Sequence, residues 1–490
     1  MFEINLTKNT KILFKAFFAY GLLFIGLVGC ASHNSKMGPV MQDFDKGDYL
    51  KSETAIKPLL SEYTLQDKDG DGKPDAPING VVFNLDGANI QQIAGNYKGS
   101  IATYQSVYET VIPYYGDVAE TKVTEELAAA TTNQTTRTYR GTSYDRIMMN
   151  TYQALNYLAV EPQQADKANI EFNRANKWAD YLKKDNAQID EEQKVMAGQG
   201  KDKGYDIQST LKDKKFTTEM DKQYGTVRDM RAYANYEIPY AVYLRAVNGL
   251  AMGTQSKWEQ SKNDFKHVAE MLVPPASDLV KNDVALMESI ITGKKSTKSV
   301  FIFVEAGRAP SLKEFRLDIP LGIKEVPYVG AAFPVLQIHK EPSVTAFTVN
   351  LEKAVQSELL TDMDAVVAQD FNHRLPGIIV ATLVSSATKA LATYGAQKAG
   401  GGGYAALAGT LYQAATNSAD LRCWLTLPKR VLWARVDRPA SGDISIRMSD
   451  GQAITVKVPD EAVSVVRIRT VNAGTKPSVM MFAIKPGSSK

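Results

Sequence analysis

The chain has 490 residues, 44% of them hydrophobic, with 57 Lys+Arg against 54 Asp+Glu. That length exceeds what one hydrophobic core fills, so two or three domains are expected. The near-balance of charge lacks the basic bias of a nucleic-acid binder and excludes nucleic acid as an expected partner. Two cysteines exclude a disulfide framework.

Residues 1–29 have the layout of an export signal. Lys8, Lys11 and Lys15 make a basic start, and Phe17 to Val28 is apolar apart from glycines and Tyr20. The run is shorter than the roughly 20 apolar residues of a comfortable membrane span. Leu27-Val28-Gly29-Cys30 closely resembles the bacterial lipobox. The resemblance implies a diacylglycerol on the Cys30 sulfur, cleavage just before it and acylation of the new amine. Two or more acyl chains anchor a protein stably. Ala31 and Ser32 follow, and neither is the aspartate that often retains such proteins at the inner membrane. The expected address is therefore the outer membrane, facing the periplasm, with residues 30–45 as a lipidated tether. Cleavage takes away three lysines and one glutamate and leaves 54 Lys+Arg against 53 Asp+Glu. With Cys30 lipidated, Cys423 has no partner for an intrachain disulfide.

Residues 46–290 read as a helical domain. Gly47-Asp48-Tyr49-Leu50-Lys51-Ser52 matches Gly95-Asn96-Tyr97-Lys98-Gly99-Ser100. Ser52 is followed by Ile56 and Leu59, and Ser100 by Tyr104 and Val107. The same spacing returns at Ala168, Phe172 and Ala175, and at Ser261, Phe265 and Val268. Offsets of three and four mark one helix face, and a small residue one turn before a large one lets a neighbouring helix come close. Partner helices are expected over Tyr144 to Ala159, which holds Ala154 and Tyr157, and over Tyr243 to Met252. Pro113 and Pro274-Pro275 stop the second helices of their pairs. The pattern resembles tetratricopeptide helix–turn–helix units with irregular insertions. Stacked pairs form a concave surface suited to peptides or partner helices. Residues 115–142 read as a polar loop, and 183–216, dense in Lys, Asp, Gln and Gly, as a solvated helix or mobile insertion.

One loop has the pattern of a metal site. Asp67, Asp69, Asp71 and Asp75 stand at positions 1, 3, 5 and 9 around Gly70 and Gly72. Carboxylates so spaced can wrap a calcium ion. The loop resembles those of thrombospondin type 3 and dockerin-like repeats, and departs from the EF-hand because Ile78 stands where a bidentate Glu belongs. The alternative is a polar surface turn. A bound calcium would be structural.

The pattern changes at residue 298. Ser299 to Val304 is a continuous apolar, β-favouring run, read as a buried strand. Further strands are expected over Phe315 to Ile319, Val335 to Ile338, Thr345 to Leu351, Val431 to Val436, Ile444 to Met448, Ile454 to Val458, Ser464 to Val471 and Val479 to Ile484. The turn signals between them suggest an antiparallel sandwich or barrel over 298–490. A helical hairpin is inserted over 362–417: Asp362 to Asp370, then Pro376 to Ala399, a hinge at Gly400 to Gly403, and Tyr404 to Ala415. The fold class is thus α+β and multidomain, a helical-hairpin array followed by a β-rich domain.

Several blocks together resemble a family of bacterial outer-membrane and periplasmic lipoproteins with tetratricopeptide-like N-terminal halves. They are Tyr139-Arg140-Gly141, the block at Ala154 to Leu158, Glu305 to Pro310, Ala332-Phe333-Pro334, Asp362-Met363-Asp364 and Asp420 to Pro428. The resemblance runs from about residue 45 to 440. It implies no activity; members are often encoded near lipoprotein activators of peptidoglycan synthesis.

No catalytic residues are assigned, and no enzymatic activity is expected. The four histidines, His33, His267, His339 and His373, have no metal-ligand spacing. No nucleophile elbow or phosphate-binding glycine loop is present. Cys423 precedes Trp424 in an apolar stretch and reads as a buried thiol. The expected function is a membrane-anchored scaffold or adaptor that binds an envelope protein. The alternatives are a glycan-binding or hydrolytic envelope protein, using Trp424 and Trp433 as a sugar platform, and membrane remodelling through helix 376–399.

Overall fold

The structure, a computed structural model, describes residues 33–65, 77–114, 138–178, 181, 207–230, 233, 237–294, 297–323, 326–396, 398 and 418–485. The chain is α+β: a helical half is followed by a strand-rich half that contains one long helix.

Four helix pairs build the first half. They are α1 (His33–Asp45) with α2 (Tyr49–Glu62), α3 (Gly80–Ile93) with α4 (Tyr97–Val111), α5 (Ser143–Ala159) with α6 (165–178), and α9 (Pro239–Met252) with α10 (Gln255–Met271). Two shorter helices, α7 (Ile207–Leu211) and α8 (Lys214–Arg228), stand between the third and fourth pairs, and α11 (Ala276–Ile291) follows the fourth. The pairs repeat in detail. Ser52 Oγ donates to the Val40 carbonyl at 3.0 Å, and Ser100 Oγ to the Ala88 carbonyl at 2.6 Å, each across twelve residues. At the same offset in the fourth pair, a Cβ built on Gly249 would lie 2.4 Å from Ser261 Oγ. In these three pairs the small residue thus marks where the second helix meets its first. The first two turns also match. Gly47 and Gly95 adopt φ of 76° and 88°, and the next N–H closes back five residues, Asp48 to Asp43 at 3.0 Å and Asn96 to Gln91 at 2.8 Å. A side chain at either glycine would be strained.

The strand half packs two sheets face to face. The strands are β1 (Ser299–Ala306), β2 (Ser311–Ile323), β3 (Val326–Gln337), β4 (Phe347–Asn350), β5 (Val355–Gln356), β6 (Glu358–Asp362), β7 (Arg430–Asp437), β8 (Asp443–Met448), β9 (Ala453–Lys457), β10 (Val463–Thr470) and β11 (Ser478–Ala483). One sheet has the order β11-β10-β1-β7-β6, the other β5-β4-β8-β9, and β2 and β3 form a separate hairpin. The expected antiparallel arrangement needs one correction, because β1 and β10 pair in parallel.

Alternation along β1 shows where the cores lie. Val300, Ile302 and Val304 meet Phe347, Val349, Ile444 and Ile446 of the second sheet. Phe301 and Phe303 point the other way, into a core shared with the helices, where Tyr243 packs against both. A strand covered on both faces reads as a continuous apolar run, which is why Ser299 to Val304 does not alternate in sequence.

The sheet therefore packs against one face of the helical half. Tyr152 of α5 and Tyr240 of α9 reach Glu305 of β1, Asp283 of α11 pairs with Arg435 of β7, and Ile93 of α3 accepts from Ser478 of β11. The face of the helical half that carries these residues is therefore covered by the chain's own β-domain and is not open to a partner.

Four further expectations change. Residues 30–45 are not a free tether from His33 onward: α1 buries Met37, Val40, Met41 and Phe44 at helical spacing against α2, α3 and Val471. The polar loop expected over 115–142 ends in packed chain, because Tyr139 is buried and its hydroxyl donates to Asp145 at 2.6 Å. The insertion expected over 183–216 ends in α7, whose Ile207 joins the main core. Asp362 to Asp370 and Pro376 to Ala399 are joined in one 34-residue helix, α12 (Met363–Ala396), with Pro376 inside it. Pro376 stands on the exposed side, and burial of Leu375, Ile379 and Leu383 offsets the roughly 3 kcal/mol an interior proline costs. α12 is long and apolar enough to cross a membrane by length and composition, but 56% of its most apolar window is buried in the protein. The second arm of the expected hairpin lies outside the described residues.

Candidate functional site

Three of the sequence blocks named above meet where the helices cover the sheet. At the centre is Glu305, the single acid of β1, with no solvent exposure. It accepts from Arg467 Nε at 2.7 Å and Nη2 at 2.6 Å, from Tyr240 at 2.9 Å and from Tyr152 at 3.3 Å. Arg467 Nη1 donates to Gln92 Oε1 at 2.9 Å. Gln92 in turn donates to Asn156 at 2.8 Å, and Asn156 to Ser100 at 2.8 Å. A chain of hydrogen bonds thus runs from the sheet through the third pair to the seam of the second. Burial opposes the Arg467 charge, but the Glu305 carboxylate more than offsets it and raises the guanidinium pKa well above its usual value. Burial, with Glu305 beside them, raises the phenols of Tyr152 and Tyr240.

The block Asp420 to Pro428 lies alongside. Asp86 accepts from the Leu425 and Thr426 amides, both at 3.0 Å, and Arg469 Nη2 donates to the Thr426 carbonyl at 3.3 Å. Lys429 is buried and donates to Asp364 of α12 and, at 2.9 Å, to the His339 carbonyl. Glu305, Arg467, Tyr152 and Tyr240 are each at most 2% exposed. A network so enclosed holds the helical half to the sheet; it offers no surface to a substrate.

A second feature opens to solvent. Between α4 and α6 lies a cleft of about 360 Å³, walled by Tyr108 and Ile112 on one side and Ile170, Arg174, Lys177 and Trp178 on the other. Asn173 and Tyr181 complete its lining. The Arg174 guanidinium sits 4.1 Å from the Tyr108 ring centre and pairs with Glu171 at 2.7 Å, so both walls hold it in place. Burial raises the Tyr108 phenol and the Glu171 carboxyl. Trp178 Nε1 donates to Asn150 at 2.7 Å, and its ring lies 5.2 Å from the Arg146 guanidinium.

The residues singled out in the repeat are placed as packing positions. Ser52 and Ser100 make the seam bonds already described, and Ile56, Ala154, Ala168 and Phe172 are buried. Tyr104 lies 6.1 Å from Trp424, Phe265 lies 5.0 Å from Tyr243, Ser261 faces Gly249, and Tyr157 is buried. Trp424 and Trp433 are each 1% exposed and covered by Tyr152 and Tyr243, so neither is a sugar platform. Cys423 is buried, and burial raises its thiol pKa strongly. Cys30 and the loop Asp67, Asp69, Asp71 and Asp75 lie outside the described residues. The cleft and the Glu305–Arg467 pair are absent from the sequence reading. A signal for the pair was present: Arg467 and Arg469 are two charges on one face of a strand that also holds Val463, Val465, Val466 and Ile468.

No family model and no curated protein matches the chain. Among solved structures, a tetratricopeptide repeat protein from Parabacteroides merdae is similar at 14% identity, over 52% of this chain and 97% of its own. The TM-score is 0.12, so the likeness carries no argument, and the helix-pair repeat rests on the chain's own seams and turns.

Proposed function

We propose that the chain is an interaction scaffold of a bacterial cell envelope, lipid-anchored at Cys30, facing the periplasm from the outer membrane, and engaging a partner protein through the outside of its helical half. The observation that carries this reading is the cleft between α4 and α6. The face that packs on the sheet is covered, whereas the cleft opens to solvent and combines apolar walls with two cations. Aromatic and apolar anchors in a pocket, rimmed by charge, are the composition of binding hot spots. The lipobox-like Leu27 to Cys30 supports the anchor and the address.

Crosslinking in living cells, affinity purification through a C-terminal tag and mass spectrometry test the reading, with Cys30→Ser as the unanchored control. One dominant envelope protein, lost with the anchor, is the expected result. Identical background from both forms would remove the scaffold reading.

A further inference from the structure

We infer that the α4–α6 cleft takes an acidic segment of a partner protein, which inserts one apolar side chain between Tyr108, Ile112 and Ile170 and sets its carboxylates against Arg174 and Lys177. This rests on the scaffold reading and names the chemistry of its partner.

The walls select an apolar anchor. Ile170 is 49% exposed at the cleft rim, an unusual expense for a branched aliphatic side chain, and Tyr108 of α4 and Ile112, the residue that follows α4, line the opposite wall. Filling the cleft removes these surfaces from water together. The volume, about 360 Å³, is enough for a large side chain and some of the backbone that carries it.

The charges select an acidic flank. Arg174 and Lys177 are three residues apart and both line the cleft. Glu171, the acid beside them, is buried and already held by Arg174 and Asn150. Lys177 is exposed and has no acidic partner among the described residues. Arg174 is fixed beforehand by Tyr108 and Glu171, so little ordering is lost when a carboxylate arrives. Complementary charge at such a rim speeds encounter and rejects basic competitors.

A glycan fits less well. Sugars stack on an open aromatic face, and Trp178 is 2% exposed, with its N–H committed to Asn150 and Arg146 over its ring.

The test uses the lipid-anchored full chain in detergent micelles and three sets of fluorescent dodecapeptides. Each peptide carries one central Leu, Phe or Trp, in a background of Ser with Glu, Ser with Lys, or Ser alone. Fluorescence anisotropy should show the Glu set binding and the Lys set failing to bind. Lys177→Glu should weaken the Glu set about fivefold and admit the Lys set. Ile170→Asp should weaken the Glu set about tenfold. Both positions are exposed, and unchanged thermal melts check the folding of the variants. Equal binding of all sets, indifference to both substitutions, or binding of soluble peptidoglycan fragments in place of peptides overturns the inference. In cells, a partner captured equally by wild type and Lys177→Glu would keep the scaffold and discard the cleft. Peptide binding intact in vitro, with no partner in cells, would discard the scaffold reading and leave the cleft chemistry standing.

Discussion

Glu305 and Arg467 pair diagonally between β1 and β10, whose register sets Arg467 beside Phe303 and Arg469 beside Glu305, through two contacts of 2.7 and 2.6 Å in a layer without solvent. Taking away one member leaves the other buried without its partner. Glu305→Leu or Arg467→Met alone should cost about 3–5 kcal/mol, whereas Glu305→Leu with Arg467→Met should recover most of that loss. Urea denaturation of the four-member cycle measures this coupling. Single losses below about 1 kcal/mol would show that the pair does not hold the two halves together.

The helix seams predict a second coupling. A methyl on Gly249 meets Ser261 Oγ at 2.4 Å, with the Lys257 carbonyl at 3.2 Å. Gly249→Ala should destabilise by about 1–3 kcal/mol, since overpacked cores shift at that cost. Adding Ser261→Ala removes the oxygen and should relieve most of the loss. Thermal melts of both singles and the double decide, and simple additivity would place the contact elsewhere.

Asp283, buried, and His339, half-buried, predict opposite pH slopes. Burial pushes the Asp283 carboxyl up to about 6, against the pull of Arg435 and Tyr243. Between about pH 4 and 6 the folded chain holds more proton at this group than the unfolded chain. Its contribution to stability therefore falls as pH rises across that window, by about 2–3 kcal/mol in all. Burial, then Arg308 and Lys429, lowers His339 to about 4. The folded chain binds less proton there between about pH 4 and 6.5, so this contribution rises with pH. Asp283→Asn should make stability climb more steeply with pH over that range, and His339→Gln should flatten it. Melting temperatures every half unit of pH are the measurement, and parallel curves would refute both assignments.

Lys389 is 6% exposed inside α12, where burial lowers its pKa to about 8. The unfolded chain holds the extra proton between about pH 8 and 10.5, so this group costs stability at pH 7 and the cost disappears as pH rises through that interval. Lys389→Met should raise the melting temperature at pH 7 and change it little near pH 10. An equal effect at both values would trace the change to packing instead of charge.

Much of the architecture was legible because period and composition act locally. The switch from offsets of three and four to apolar β runs at residue 298 reports a real change from helix pairs to strands. The match of Gly47–Ser52 to Gly95–Ser100 is visible in the seam bonds of Ser52 and Ser100. What escaped depends on long-range pairing. Glu305 and Arg467 are 162 residues apart, and no spacing rule links them. The parallel pairing of β1 with β10 is hidden for the same reason, because a strand's period is identical in either direction. The covering of one helical face by the sheet could be read only once Phe301 and Phe303 of β1 were seen to face helices. Trp424 and Trp433, polar-tipped and large, are attractive as surface platforms in sequence but serve as core.

α1 starts at His33, three residues beyond Cys30, and its inner face is locked into the body by Met37, Val40, Met41 and Phe44. Three residue steps span about 11 Å at full extension. A lipid on Cys30 would therefore give the protein a very short leash. It would ride on the bilayer like a moored buoy, and whatever it meets would have to come within one molecular diameter of the lipid headgroups.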